Sequence, residues 1–213
     1  MKNMEIGSFI KELSSNSPAP GGGAASALSG ALAVALTSMV YNLTVGKKVY
    51  NELDEDKKNK LLINLEECNN LNEKMLLVMN RDKEVFLELM NSYKLSKETD
   101  EDKKIRKEVI EKCTKEAMNV PLQLAKVSMK FYENIKFAAK YGNKNLISDA
   151  AVACIMLGAC IESSIINTEV NLAFIEDKEL KGDIRKVLDD LKFMNNKFKT
   201  EILEYTNSTI NKE

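Results

Sequence analysis

The chain has 213 residues, enough for one domain with a sizeable buried core. With 44% hydrophobic and 30% charged residues it is not a disordered chain, and a formal net charge of −1 leaves no electrostatic footprint for nucleic acid or an anionic membrane. It contains no histidine, so the commonest general base and metal ligand is missing, and proton transfer falls to Asp, Glu, Lys, Tyr, Cys or water.

Residues 3–14 predict a short amphipathic helix with Ile6, Phe9, Ile10 and Leu13 on one face. The Pro18–Gly23 stretch then breaks the chain and opens a helix of small residues that reaches about Leu43 and stops near Gly46. Asp54-Glu55-Asp56 starts a third, long helix, with a seam through Leu61, Leu65, Cys68, Asn72, Met75, Met79, Asp82, Phe86, Leu89 and Tyr93. Residues 94–102 read as a polar connector. A fourth helical stretch, about 103–141, carries Ile105, Val109, Cys113, Ala117, Leu124 and Val127 on its face, and Pro121 inside it predicts a kink or a division. After the Gly142-Asn143 stop, a helix begins near Ser148 and runs to about Ile175, and a last one covers about 178–205. No strand and no fixed-period repeat is apparent.

The expectation is an all-α bundle of six to seven helices formed by residues 1–213 as a single domain. Two of its helices, about 24–45 and 150–175, are too apolar for the surface and belong at the bundle centre, at a subunit interface, or both. The row Gly23, Ala27, Ala31 and Ala35 would let another helix approach closely, which fits a homodimer. The uncharged run Leu13–Gly46 holds too many Ala, Ser, Gly, Thr and Asn residues to read as a membrane span. The N-terminus lacks a signal-peptide core, and Cys68, Cys113, Cys154 and Cys160 form no CxxC pair. A cytoplasmic protein with reduced thiols, no bound metal and neither nucleic-acid nor membrane partners is expected.

Several positions could carry chemistry. Gly21, Gly22 and Gly23, just before a helix, leave backbone N–H groups free for an anion, a carbonyl or a pterin-like edge, or else mark a tight turn with close packing. Asp82, preceded by Arg81, is a carboxylate in register with an apolar seam; it needs a partner, a proton or a function. Lys47 and Lys48 follow a helix stop and could meet a polyanionic tail or stay solvated. Ser148-Asp149 reads as a helix start with a first-turn acid. Asn167 and Asn171 lie four apart in an apolar segment, where their amides need partners across an interface or on a heterocyclic ligand.

Taken together, Pro18–Gly23, Asn42-Leu43-Thr44, Gly46-Lys47-Lys48, Arg81-Asp82 with Phe86, Val120-Pro121-Leu122, Gly142-Asn143, Ser148-Asp149 and Asn167 with Asn171-Leu172 resemble, in order, the motifs of the formimidoyltetrahydrofolate cyclodeaminase and methenyltetrahydrofolate cyclohydrolase family. The resemblance spans about residues 5–175; Ala151 and Ser163 depart from it where glycine is expected, and the helix near Glu162 is more polar than usual. It implies an all-helical homodimer acting on a tetrahydrofolate derivative, with no tightly bound cofactor. Of the two reactions it implies, hydrolysis of methenyltetrahydrofolate to 10-formyltetrahydrofolate is placed first, because no formiminotransferase unit accompanies the chain. Ring closure with loss of ammonia is placed second. A non-catalytic helical scaffold is a rival of a different class. Asp82, then Asp149, are the acid/base candidates. Gly21, Gly22, Gly23, Lys47, Lys48, Arg81, Asn167 and Asn171 are the substrate-binding candidates.

Overall fold

The long polar helices begin at side chains that hold a free backbone N–H. The computed structural model describes residues 1–211. In it, Asp54 accepts the Lys57 N–H at the head of α4 (Glu55–Ser92), and Thr99 and Asp102 form a reciprocal capping box at the head of α5 (Asp100–Tyr141). Asp177 accepts the N–H groups of Glu179 and Leu180 at the head of α7 (Lys178–Ile210). The two apolar helices, α2 (Gly22–Asn42) and α6 (Ile147–Leu172), start without any side-chain cap. A short α1 (Ile6–Leu13) precedes them, and a single turn, α3 (Lys48–Asn51), follows Gly46, whose φ of 72° lies in the left-handed region that favours glycine.

These seven helices are the expected all-α bundle. Helices α2, α4, α5 and α6 form an up-down-up-down core, and α7 lies in the groove between α5 and α6. Leu157, Ile161 and Ile165 of α6 are fully buried, each contributing about 1.5–3 kcal/mol from the water it leaves. Helices α2 and α6 are long and apolar enough to cross a membrane, yet about half of each is packed inside the bundle (56% and 50%). The close approach falls at Gly23 and Gly30 as much as on the alanines: a Cβ at Gly30 would overlap the sulfurs of Met75 and Cys160, whereas Ala35 of the expected row faces outward. Cys68, Cys154 and Cys160 are buried and Cys113 is half-buried, all as free thiols.

Two details differ from the sequence-based expectation, and a third gains its partners. The buried seam of α4 is Leu61, Asn64, Cys68, Met75, Met79, Val85, Leu89 and Ser92, so it passes one residue before Leu65, Phe86 and Tyr93. A 3.6-residue helix drifts against any fixed sequence of threes and fours, and Asn64 joins the seam because its amide donates to the Tyr41 hydroxyl at 3.0 Å. Pro121 does not divide the fourth helix, which runs unbroken from Asp100 to Tyr141. The polar patch at Glu162 is matched across the interface by Asn195 and Lys199 of α7, which donate to its carboxylate.

Candidate active site

Where α2 begins, α4 and α6 end, because both run antiparallel to it. The bare backbone at Gly21–Gly23 leaves room there that side chains would fill. The result is a cavity of about 250 Å³ lined by Pro18, Ala19, the three glycines, Asp82, Val85, Phe86, Leu89, Ala117, Pro121, Asn167, Val170 and Asn171.

Asp82 rests directly on the glycine turn. A Cβ at Gly23 would overlap its carboxylate, so glycine is required at that position for the acid to sit where it does. Burial pushes the Asp82 pKa above the ordinary carboxylate value, and a hydrogen bond from the Ala24 N–H only partly opposes this. No cation pairs with it among the described residues. The N–H groups of Gly22 and Gly23, the first two of α2, meet no protein acceptor among the described residues. They remain as donors at the positive end of a helix dipole.

Asn167 and Asn171 contribute the opposite polarity. The Asn167 Nδ2 donates to Ser163 O at 2.9 Å and to the Ser26 hydroxyl at 3.3 Å, while Ser26 in turn donates to Gly22 O at 2.7 Å. The Asn171 Nδ2 donates to Asn167 O at 2.9 Å and to Ala117 O of α5 at 3.1 Å. Both amide hydrogens of each side chain are thus engaged, and each Oδ1 is left as an acceptor without a protein donor among the described residues. A Cβ at Gly22 would come within 3.2 Å of the Asn167 Oδ1, which brings the second glycine against the first amide. A Cβ at Gly21 would meet nothing within 4 Å.

The candidates named from sequence therefore divide. Gly21, Gly22, Gly23, Asp82, Asn167 and Asn171 converge on one cavity. Arg81 is next to it in sequence but does not line it: its guanidinium lies 3.4 Å from Glu84, 3.4 Å from Glu88 and 3.7 Å from Glu116, half-exposed, tying α4 to α5. Asp149 is the first-turn acid at the far end of α6, about 27 Å from Asn167 at 1.5 Å per helical residue. Lys47 and Lys48 lie past the far end of α2, both exposed, with Lys48 3.8 Å from Glu52. Within one chain these three do not reach the cavity. The lining residues Pro18, Ala19, Val85, Leu89, Ala117, Pro121 and Val170 and the positioning hydroxyl of Ser26 were not singled out as site residues. Val85 is one helical turn and Leu89 two turns from Asp82 on the same face, a spacing legible in the sequence. Among the described residues no group of three or more His, Cys, Asp or Glu side chains could hold a metal ion.

Comparison with known proteins gives this geometry a context. Residues 5–190 match the family described as formiminotransferase-cyclodeaminase. The chain belongs to that family. A methenyltetrahydrofolate cyclohydrolase of Methylorubrum extorquens is 36% identical over 98% of this chain and 99% of its own length. The formimidoyltransferase-cyclodeaminase of Gallus gallus is 27% identical over 87% of this chain, which covers only 34% of that larger protein. The crystal structure of a formiminotetrahydrofolate cyclodeaminase from Thermotoga maritima superimposes with a TM-score of 0.85, covering 98% of both chains at 24% identity, which speaks to the fold. These matches establish a member of a folate one-carbon enzyme family. On the choice of reaction, the family description and the relatives from Gallus gallus and Sus scrofa carry cyclodeaminase in their names, so they back ammonia-releasing closure, placed second from sequence, more than hydrolysis.

Proposed function

We propose that the cavity at the head of α2 binds a one-carbon derivative of tetrahydrofolate, and that Asp82 carries the proton that moves when the carbon held between N5 and N10 changes partners. The observation that carries this reading is the Asp82 carboxylate, half-buried without a cation against Gly23, with free helix N–H groups beside it. In cyclodeamination N10 attacks the formimino carbon on N5, a C–N10 bond forms, the bond to the amino nitrogen breaks, and N10 gives up a proton while ammonia takes one. An acid whose pKa is raised by burial can accept the first proton and supply the second. The N–H groups of Gly22 and Gly23 and the acceptor oxygens of Asn167 and Asn171 orient the ring. At about 250 Å³ the cavity has room for the fused ring system and leaves the aminobenzoate-glutamate tail outside.

Cyclohydrolysis is the second reading, favoured by the relative of that name that matches nearly end to end. There water attacks the methenyl carbon, Asp82 takes one proton from it, and the remaining hydroxyl proton passes to N5 as the carbon's bond to N5 breaks and its C=O forms. Both reactions pass through the same tetrahedral carbon, so the residues serve either.

Two assays decide. With formiminotetrahydrofolate, a rise in the near-ultraviolet absorbance of methenyltetrahydrofolate together with released ammonia supports cyclodeamination. With methenyltetrahydrofolate, loss of that absorbance faster than the uncatalysed rate supports hydrolysis. Activity in neither, with no thermal shift on adding a reduced folate, returns the chain to the scaffold reading.

A homodimer is part of the same proposal. Val152, Ile155, Ile166 and Val170 of α6 and Leu32 of α2 are 46–60% exposed, on faces of the two most apolar helices that no other helix of the chain covers. A second copy related by a two-fold axis would cover them. Sedimentation equilibrium reads the mass directly, and a monomer at assay concentration would remove this part.

A further inference from the structure

We infer, on the basis of that reading of the cavity, that Pro121 is a positioning residue: it frees the Ala117 carbonyl to hold Asn171 with its side-chain oxygen toward the ligand. Inside a helix, a proline lacks the N–H that would bond to the carbonyl four residues earlier. For Pro121 that carbonyl is Ala117 O, and it accepts instead from the Asn171 Nδ2 of α6 at 3.1 Å. The second hydrogen of that amide goes to Asn167 O at 2.9 Å. Carbonyl oxygens only accept, so the nitrogen must face both of them and the side-chain Oδ1 must face away from both.

This accounts for two features at once. Helix α5 continues through Pro121 because its orphaned carbonyl has a partner on the neighbouring helix. Asn171, which the Asn167 carbonyl holds by one hydrogen, is locked as an acceptor by the second carbonyl. Asn167 is locked in the same sense by Ser163 O and Ser26. The two asparagines line the cavity with acceptors beside the glycine N–H donors. The ligand edge that meets them must carry N–H groups, as the 2-amino, N3 and N8 positions of a reduced pterin do. Pro121 is thus responsible for hydrogen-bond polarity at a residue it does not bond to.

The test is a double-mutant cycle with Pro121→Ala and Asn171→Ala in the full chain. Pro121→Ala restores the missing N–H at a position where alanine is the better helix former, so the protein should keep or raise its Tm. Its KM for the folate substrate should rise about tenfold with kcat little changed, the signature of a lost ligand hydrogen bond worth about 1.4 kcal/mol. In the Asn171→Ala background the same proline change should have no further effect on KM, and it should recover the Tm lost when Ala117 O is left unpaired. If the two KM effects multiply, Pro121 acts by direct contact with the ligand and the inference fails. A second measurement needs no substrate. In ligand-free protein the Asn171 side-chain amide protons should exchange slowly and become faster in Pro121→Ala. Equal exchange in the two proteins overturns the link, whereas slow exchange in a chain that turns over neither folate overturns only the folate reading.

Discussion

The two ends of the α2/α6 pair are built from similar small residues but do opposite things with their polar groups. At the far end the polar groups that bridge the turns find partners within the chain. Thr44 donates to Val40 O at 2.6 Å and accepts the Asn143 N–H at 2.9 Å. Lys144 donates to the carbonyls of Ala139 and Lys140 and to the Tyr205 hydroxyl, closing the end of α5. A Cβ at Gly142 would overlap Val40, so no space is left. At the near end the N–H groups of Gly22 and Gly23 and two asparagine oxygens have no protein partner among the described residues, and the Asp82 carboxylate has the Ala24 N–H but no cation, around an open cavity. Unmatched polarity costs a fold stability, and its concentration at one end marks where a ligand supplies the missing half.

The largest effect should come from Asp82→Asn. Turnover should fall by about 10²–10⁴-fold, the usual contribution of a positioned proton carrier, with folate binding retained in a thermal-shift titration. Gly23→Ala comes next. The methyl group displaces the carboxylate without weakening the helix, so kcat/KM should fall about 10²-fold while Tm holds. Thr44→Val tests the closed end. It should lower stability by about 1 kcal/mol in a denaturant melt and leave kcat/KM unchanged. Asp149→Asn should be milder still, about 0.5 kcal/mol for a first-turn acid, again with activity unchanged. A large activity loss there, at constant Tm, would show that the two ends meet across subunits and that the contrast within one chain is incomplete.

The pH dependence sharpens the comparison further. Because burial raises the Asp82 pKa in the folded state, the folded chain holds that proton more tightly than the unfolded one. The favourable contribution is therefore present at acid pH and lost as pH rises through the folded value. At neutral pH the buried charge is a liability, so Asp82→Asn should melt at a higher temperature than the wild type. That advantage should shrink as pH is lowered and vanish below the unfolded value of about 3.9.

Much of this was legible in the sequence, for identifiable reasons. Helix number and the identity of the two central helices follow from hydrophobic periodicity and scarce turn residues, which are local signals. Asp82 stood out because a carboxylate on an apolar seam is costly wherever the seam leads. Lys47, Lys48 and Asp149 were grouped with it because their motifs co-occur in the chain. Yet the length of the small-residue helix, at 1.5 Å per residue, already separates Lys47 from Gly22 by more than 30 Å. The one-residue shift from Leu65 to Asn64 and the continuity of α5 through Pro121 were not legible. Each depends on a hydrogen bond to a residue far along the chain, Tyr41 in one case and Asn171 in the other.

Gly30 sits midway along α2 with a thioether on one side and a thiol on the other, so close that a single methyl group would force them away. Such a contact acts as a stop. Rotating or sliding the helix would drive its backbone toward Met75 and Cys160, which must then give way. The turn that opens α2 is consequently held at a constant height above the acid, and any closing of the cavity over its occupant falls to the rim, to the chain before Gly21 and the aromatic edge of Phe86.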